Sequence, residues 1–88
     1  MKRFKDTFID RDERFSIGID LSSGESYVSI PVSNHMVDYE EYYVIPKDLA
    51  NNYSSRRDSI LEIVRKCRAR EYDDYLIIQP GSDRGIAT

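Results

Sequence analysis

His35 is the single histidine of the chain. Asp38 follows three residues later, a spacing at which a carboxylate can orient an imidazole for proton transfer. Both border a polar stretch, Ser33-Asn34-His35-Met36, that reads as a connection between strands, where a histidine is normally just solvated. Cys67 is the single cysteine. It falls on the apolar stripe of a helical pattern, and a free cysteine there behaves as a small core residue rather than a nucleophile. One His and one Cys offer no zinc spacing. Asp38, Glu40 and Glu41 have oxygen chemistry suited to Ca²⁺ or Mg²⁺, but no calcium loop with its Gly and terminal Glu surrounds them. Pro80-Gly81-Ser82-Asp83-Arg84-Gly85 has glycines that expose backbone N–H groups and an arginine for an anion. The Lys-Ser/Thr end of a phosphate loop is missing, and no helix follows. A turn into a tail fits it better, with a contact loop for a partner as the minority reading. No catalytic residue, metal ligand or cofactor is assigned, and the chain reads as a non-enzyme.

The strongest signal lies elsewhere. Asp38-Tyr39-Glu40-Glu41-Tyr42-Tyr43 packs three tyrosines and three carboxylates into six residues. Tyrosine brings a large ring with a polar tip and is enriched at protein interfaces. Interleaved carboxylates aim such a surface at a basic partner. If these residues form a strand, Tyr39, Glu41 and Tyr43 share one face, and Asp38, Glu40 and Tyr42 the other. One or two tyrosines padding a core edge would be ordinary. Three like charges on one short segment cost stability and mark a binding surface. The six residues are therefore the candidate partner-binding site.

A second candidate is basic. Arg56, Arg57, Arg65, Lys66, Arg68 and Arg70 gather on one helical segment, where they could meet nucleic-acid phosphates. Tyr53 and Tyr72 flank them as stacking platforms. Asp58, Glu62, Glu71, Asp73 and Asp74 are interspersed and reduce that field. Arg65, Lys66, Arg68 and Arg70 suit a helix C-terminus, but Arg56 and Arg57 oppose the dipole of the first turn. Charges set against a local rule point to a job elsewhere.

The elements that must position these groups are legible from periodicity. Residues 1–13 are charged and aperiodic, and predict a flexible leader whose Phe8 or Ile9 docks on the body of the domain. Arg14 to Leu21 alternates, with Phe15, Ile17 and Ile19 on one side. Ser22-Ser23-Gly24-Glu25 is turn chemistry. Ser26 to Val32 alternates again, with Val28, Ile30 and Val32 inward, and the pair reads as a hairpin. Pro31 lacks an N–H and calls for a sheet edge or a bulge. Val37 to Ile45 is a third strand, ended by Pro46, and Lys47 to Tyr53 a helical turn. Ser55 and Asp58 fit a capping box for a helix to about Arg70. Ile60, Ile63, Val64 and Cys67 form its apolar stripe, widened by Leu61. Tyr75 to Ile78 is read as a fourth strand, and residues 80–88 as loop and tail. The fold class is α+β, an antiparallel β-sheet in β-β-β-α-β order with one main helix packed on one face. The single domain is expected to span residues 14–79.

Size and charge bound the rest. Eighty-eight residues make one domain with a thin margin of stability. A net charge of −3 disfavours a general nucleic-acid binder without excluding a basic face. The basic start lacks an apolar region behind it and is no signal peptide. No run approaches the roughly 18 apolar residues of a membrane span. One cysteine excludes an intramolecular disulfide and fits a reducing compartment, so the expected location is the cytoplasm.

Ser29-Ile30-Pro31-Val32-Ser33-Asn34, the block Asp38 to Tyr43, Cys67-Arg68-Ala69-Arg70-Glu71 and the Pro80 to Gly85 loop together resemble small bacterial proteins, some similar to immunity proteins encoded beside secreted polymorphic toxins. The resemblance spans residues 14–85. It implies a binding function and assigns no residue. The leading expectation is a non-catalytic module, an immunity protein that occludes a cognate toxin through its acidic, tyrosine-rich surface. The alternative is a small nucleic-acid-binding regulator that uses helix residues 56–70. The expected partner is a protein with a basic surface, and no membrane is implied.

Overall fold

A computed structural model describes residues 2–88. Met1, the first residue of the expected leader, lies outside the described residues. The alternating segments form β2 (Phe15–Asp20), β3 (Ser26–Ser33) and β4 (Asp38–Val44). They pair antiparallel in chain order, Ile17 opposite Val28 and Val28 opposite Tyr43. The helical segment is α2 (Arg57–Arg68), preceded by α1 (Lys47–Asn51) and a 3-10 turn at Tyr53–Ser55. The class is α+β, as the periodicity predicts.

Three expectations are corrected. The expected leader contains a strand, β1 (Phe4–Asp10), which pairs with β2 from Phe4↔Asp20 to Asp10↔Phe15. Its period is hidden because the register shifts between Asp6 and Phe8, so Phe4 and Phe8 fall on opposite faces. The expected fourth strand at Tyr75–Ile78 is instead a 3-10 turn, Asp73–Tyr75, followed by a single bridge from Leu76 to Tyr43. The last strand, β5 (Ile86–Ala87), lies in the expected tail and pairs with Val32 and Ser33 of β3. The order is therefore β-β-β-β-α-β.

One face of the sheet carries the core. Phe15, Ile17, Val28, Ile30, Val32 and Tyr43 pack against Ile60, Val64 and Cys67 of α2, with Ile45, Leu49 and Leu76 closing the rim. Each such burial contributes roughly 1.5–3 kcal/mol. Ile19, expected inward, is exposed and stands outside the core cluster. The capping box does not form. Arg56 takes the N-cap position without a side-chain bond, and the Ser55 hydroxyl bonds the Asn52 carbonyl instead.

Pro31 sits past the end of the β2 pairing, which stops at Ser16↔Ser29. Its missing N–H therefore breaks no ladder bond, and its carbonyl accepts the Thr88 N–H at 3.2 Å. The second face is small but not bare. Tyr27 is buried over Gly18, where any Cβ would collide with the tyrosine ring and the Lys5 carbonyl. Phe4 stacks on Tyr42 with ring centroids 3.8 Å apart, and Tyr27 meets both edge-on. That cluster ties β1 to β4 across the sheet.

Candidate functional site

β4 divides the acidic, tyrosine-rich block between the two faces of the sheet. Tyr39, Glu41 and Tyr43 turn toward the core side, and Asp38, Glu40 and Tyr42 toward the other. The six residues do not form one contiguous contact surface.

The inward three are engaged by their own chain. Glu41 is buried and receives Arg84 as a two-pronged partner, Nε–Oε2 2.9 Å and Nη2–Oε1 3.0 Å. Arg84 also grips Asp73, Nη1–Oδ2 2.6 Å and Nη2–Oδ1 2.9 Å. The Tyr43 hydroxyl donates to Glu41 at 2.9 Å. The Tyr39 hydroxyl donates to it at 3.3 Å and accepts the Gly85 N–H at 2.9 Å. Burial pushes the Glu41 carboxyl up, but the bonds from Arg84 and Tyr43 outweigh it, and the group ends below its ordinary range. Burial and the bond to Glu41 both push the Tyr43 phenol up. With no exposed surface, Tyr43 anchors the fold rather than a partner.

This network was not anticipated from the sequence. The one available signal was Arg84 between acidic and glycine neighbours, read as a cation awaiting an anion. The anions are Glu41 and Asp73 of the same chain. Gly85 follows it because a Cβ at that position would lie 2.5 Å from the Ser33 carbonyl oxygen. Residues 79–88 thus form a strap rather than a tail. Arg70 donates to the Gly85 carbonyl at 2.7 Å and Asn34 to the Asp83 carbonyl at 2.8 Å, holding it further.

On the second face, Tyr42 is half-buried beneath Phe4. Asp38 and Glu40 are exposed. Asp38 accepts the Ser33 hydroxyl. Partial desolvation raises the carboxyl of Glu40 above its usual range although the residue as a whole is exposed; the Ser29 hydroxyl opposes this, and the charge of Asp6 adds to it. Neither Asp38 nor Glu40 has a cationic partner among the described residues. Asp10, Asp20, Glu41, Glu62 and Asp73 all have one.

The other candidate residues fall as follows. His35 is exposed in a turn closed by the Asn34 side chain, which accepts the N–H groups of Met36 and Val37, both at 2.8 Å. Cys67 is buried, and burial pushes its thiol up to about 12. Asp38, Glu40 and Glu41 diverge to opposite faces, so they do not converge on a cation. The basic helix is largely spoken for. Arg56 pairs with Asp48, Arg57 with Asp10, and Arg65 with Glu62. Arg68 donates to the carbonyls of Glu13 and Arg14, and Arg70 to that of Gly85. Lys66 alone of the six has no such bond among the described residues. Arg56 thus links the start of α2 to α1, and Arg57 links it to β1, through partly exposed ion pairs.

Among the described residues, no helix is long and apolar enough to cross a membrane. Comparison of the chain with family models, with curated proteins and with solved structures found no match in any of the three.

Proposed function

We propose that this chain is a non-catalytic binding protein whose acidic β4 face docks on the basic surface of another protein. In its specific form, the chain is an immunity-type protein that occludes a cognate bacterial toxin in the cytoplasm. The specific form rests on the resemblance of its sequence blocks.

One observation carries the proposal. Asp38 and Glu40 are the exposed carboxylates of one short strand face, and they lack the cationic partners that Asp10, Asp20 and Glu41 of the same sheet possess. Like charges on one face cost stability, and a partner that neutralises them would recover it. Such charges also speed and orient association. Tyr42 shares that face and is half-buried, so part of its ring remains open to the same contact. The nucleic-acid alternative draws no support from the geometry, since Arg56, Arg57, Arg65, Arg68 and Arg70 are already bonded within the chain.

The test compares wild type with an Asp38→Lys/Glu40→Lys double variant as affinity baits in the native host. The expected result is a stoichiometric basic protein on the wild type. With that protein purified, the double variant binds it about tenfold more weakly or worse by calorimetry. Equal affinity for both baits would overturn the proposal. Neutralisation of the partner's toxicity on co-expression tests the immunity reading separately.

A further inference from the structure

The outer edge of β4 is paired at one end only. The Tyr42 carbonyl accepts the Ile77 N–H at 2.8 Å, and Leu76 bridges to Tyr43. Toward Asp38 the pairing stops. The direction of the remaining backbone groups follows from two bonds. The Tyr42 carbonyl points away from β3, since it reaches Ile77. Pro31, directly opposite Glu40, sends its carbonyl to Thr88 on the far side of β3. Pro31 and Glu40 are thus a pair whose polar groups face away from each other. The N–H and C=O of Glu40, and by alternation those of Asp38, open onto the outer edge. No intramolecular hydrogen bond meets them among the described residues.

That edge is one wall of a groove of about 410 Å³. Tyr39, Glu40 and Tyr42 line one side; Ile78, Pro80 and Asp83 line the other. We infer that this groove takes an extended, basic segment of the partner protein as an added strand antiparallel or parallel to β4. Main-chain bonds to Asp38 and Glu40 would hold the segment, and alternate Lys or Arg side chains would lie beside the two carboxylates. The inference rests on the binding role proposed above and specifies its geometry.

Charge selects the occupant. A second copy pairing β4 against β4 around Glu40 would set Glu40 against Glu40 of the partner subunit, a destabilising like-charge neighbour. A basic strand meets the opposite situation. Glu41 is held by Arg84 on the core side and does not face the edge with Asp38 and Glu40.

The experiment titrates ¹⁵N-labelled full-length protein with a capped Lys-Val-Lys-Val-Lys-Val peptide. Two N-methylated forms follow, one methylated on the Lys residues and one on the Val residues. Amide signals of residues 38–42 should shift, and the Glu40 N–H should gain protection from exchange. One of the two methylated peptides, the one whose N–H groups face β4, should bind about tenfold more weakly, the effect of removing two hydrogen bonds. The other should bind like the parent. If both methylated forms bind like the parent at the same residues, strand addition is overturned and docking by charge stands. If the parent binds Glu40→Lys as well as wild type, the charge-docking reading fails as well. Shifts confined to other residues, or no binding at millimolar peptide, overturn the inference.

Discussion

Arg84 lays its guanidinium fork across both oxygens of Glu41, at 2.9 and 3.0 Å, from a segment 43 residues further along the chain. Glu41 keeps 6% of its side-chain surface and Arg84 15%. Removing one member of so enclosed a pair leaves the other charged and desolvated. Arg84→Ala is therefore expected to cost about 3 kcal/mol in urea-induced unfolding. Arg84→Lys keeps the charge but loses the fork, and should fall between wild type and alanine. A loss under about 0.5 kcal/mol for Arg84→Ala, the range of ordinary surface changes, would mean that the strap is not clamped there.

Acid should unfold the protein through its paired carboxylates. The bond from Arg3 holds Asp20 down at about 2, against desolvation that pushes it up. The bonds from Arg84 hold Asp73 below its ordinary value, and Glu41 is lowered on balance. A carboxyl with a depressed folded-state pKa stabilises the fold above its unfolded value, about 4. That contribution is lost as the pH falls through the folded-state value. Stability should hold from neutrality to about pH 4.5 and decline toward pH 2. Asp20→Asn should flatten the lower part of the decline, as followed by circular dichroism. An unchanged profile would remove Asp20 from the account.

Phe4 belongs to the fold. It stacks on Tyr42 and meets Tyr27 at 5.5 Å. Phe4→Ala is expected to cost about 2 kcal/mol from lost burial and ring contacts. Tyr42→Phe, which keeps the ring, should be close to neutral. A neutral Phe4→Ala would show that the Phe4–Tyr42 stack contributes nothing to stability.

Cys67 should be silent in the folded protein. Its thiol is buried and pushed up to about 12, so almost no thiolate is present at pH 8. A disulfide reagent should not react over the time in which the urea-unfolded chain reacts fully. Rapid reaction of the native protein would place Cys67 at an opening of α2.

Periodicity alone determined much of this molecule. The alternation of Phe15 and Ile17, and of Val28, Ile30 and Val32, required half-buried strands. The spacing of Ile60, Val64 and Cys67 required a helix laid on them. Those patterns report the face each residue turns to the core, which is a local property. β1 escaped because a register shift puts its aromatics on opposite faces, and β5 because two residues carry no period. The acidic, tyrosine-rich block was legible as unusual but not as divided. Its composition is the same whether Arg84 binds Glu41 or solvent does. Only the tertiary structure brings the strap beneath β4, neutralises Glu41, buries Tyr43, and leaves Asp38 and Glu40 unpaired on an open edge. Which charges a fold satisfies depends on contacts between distant segments, and no local pattern encodes those.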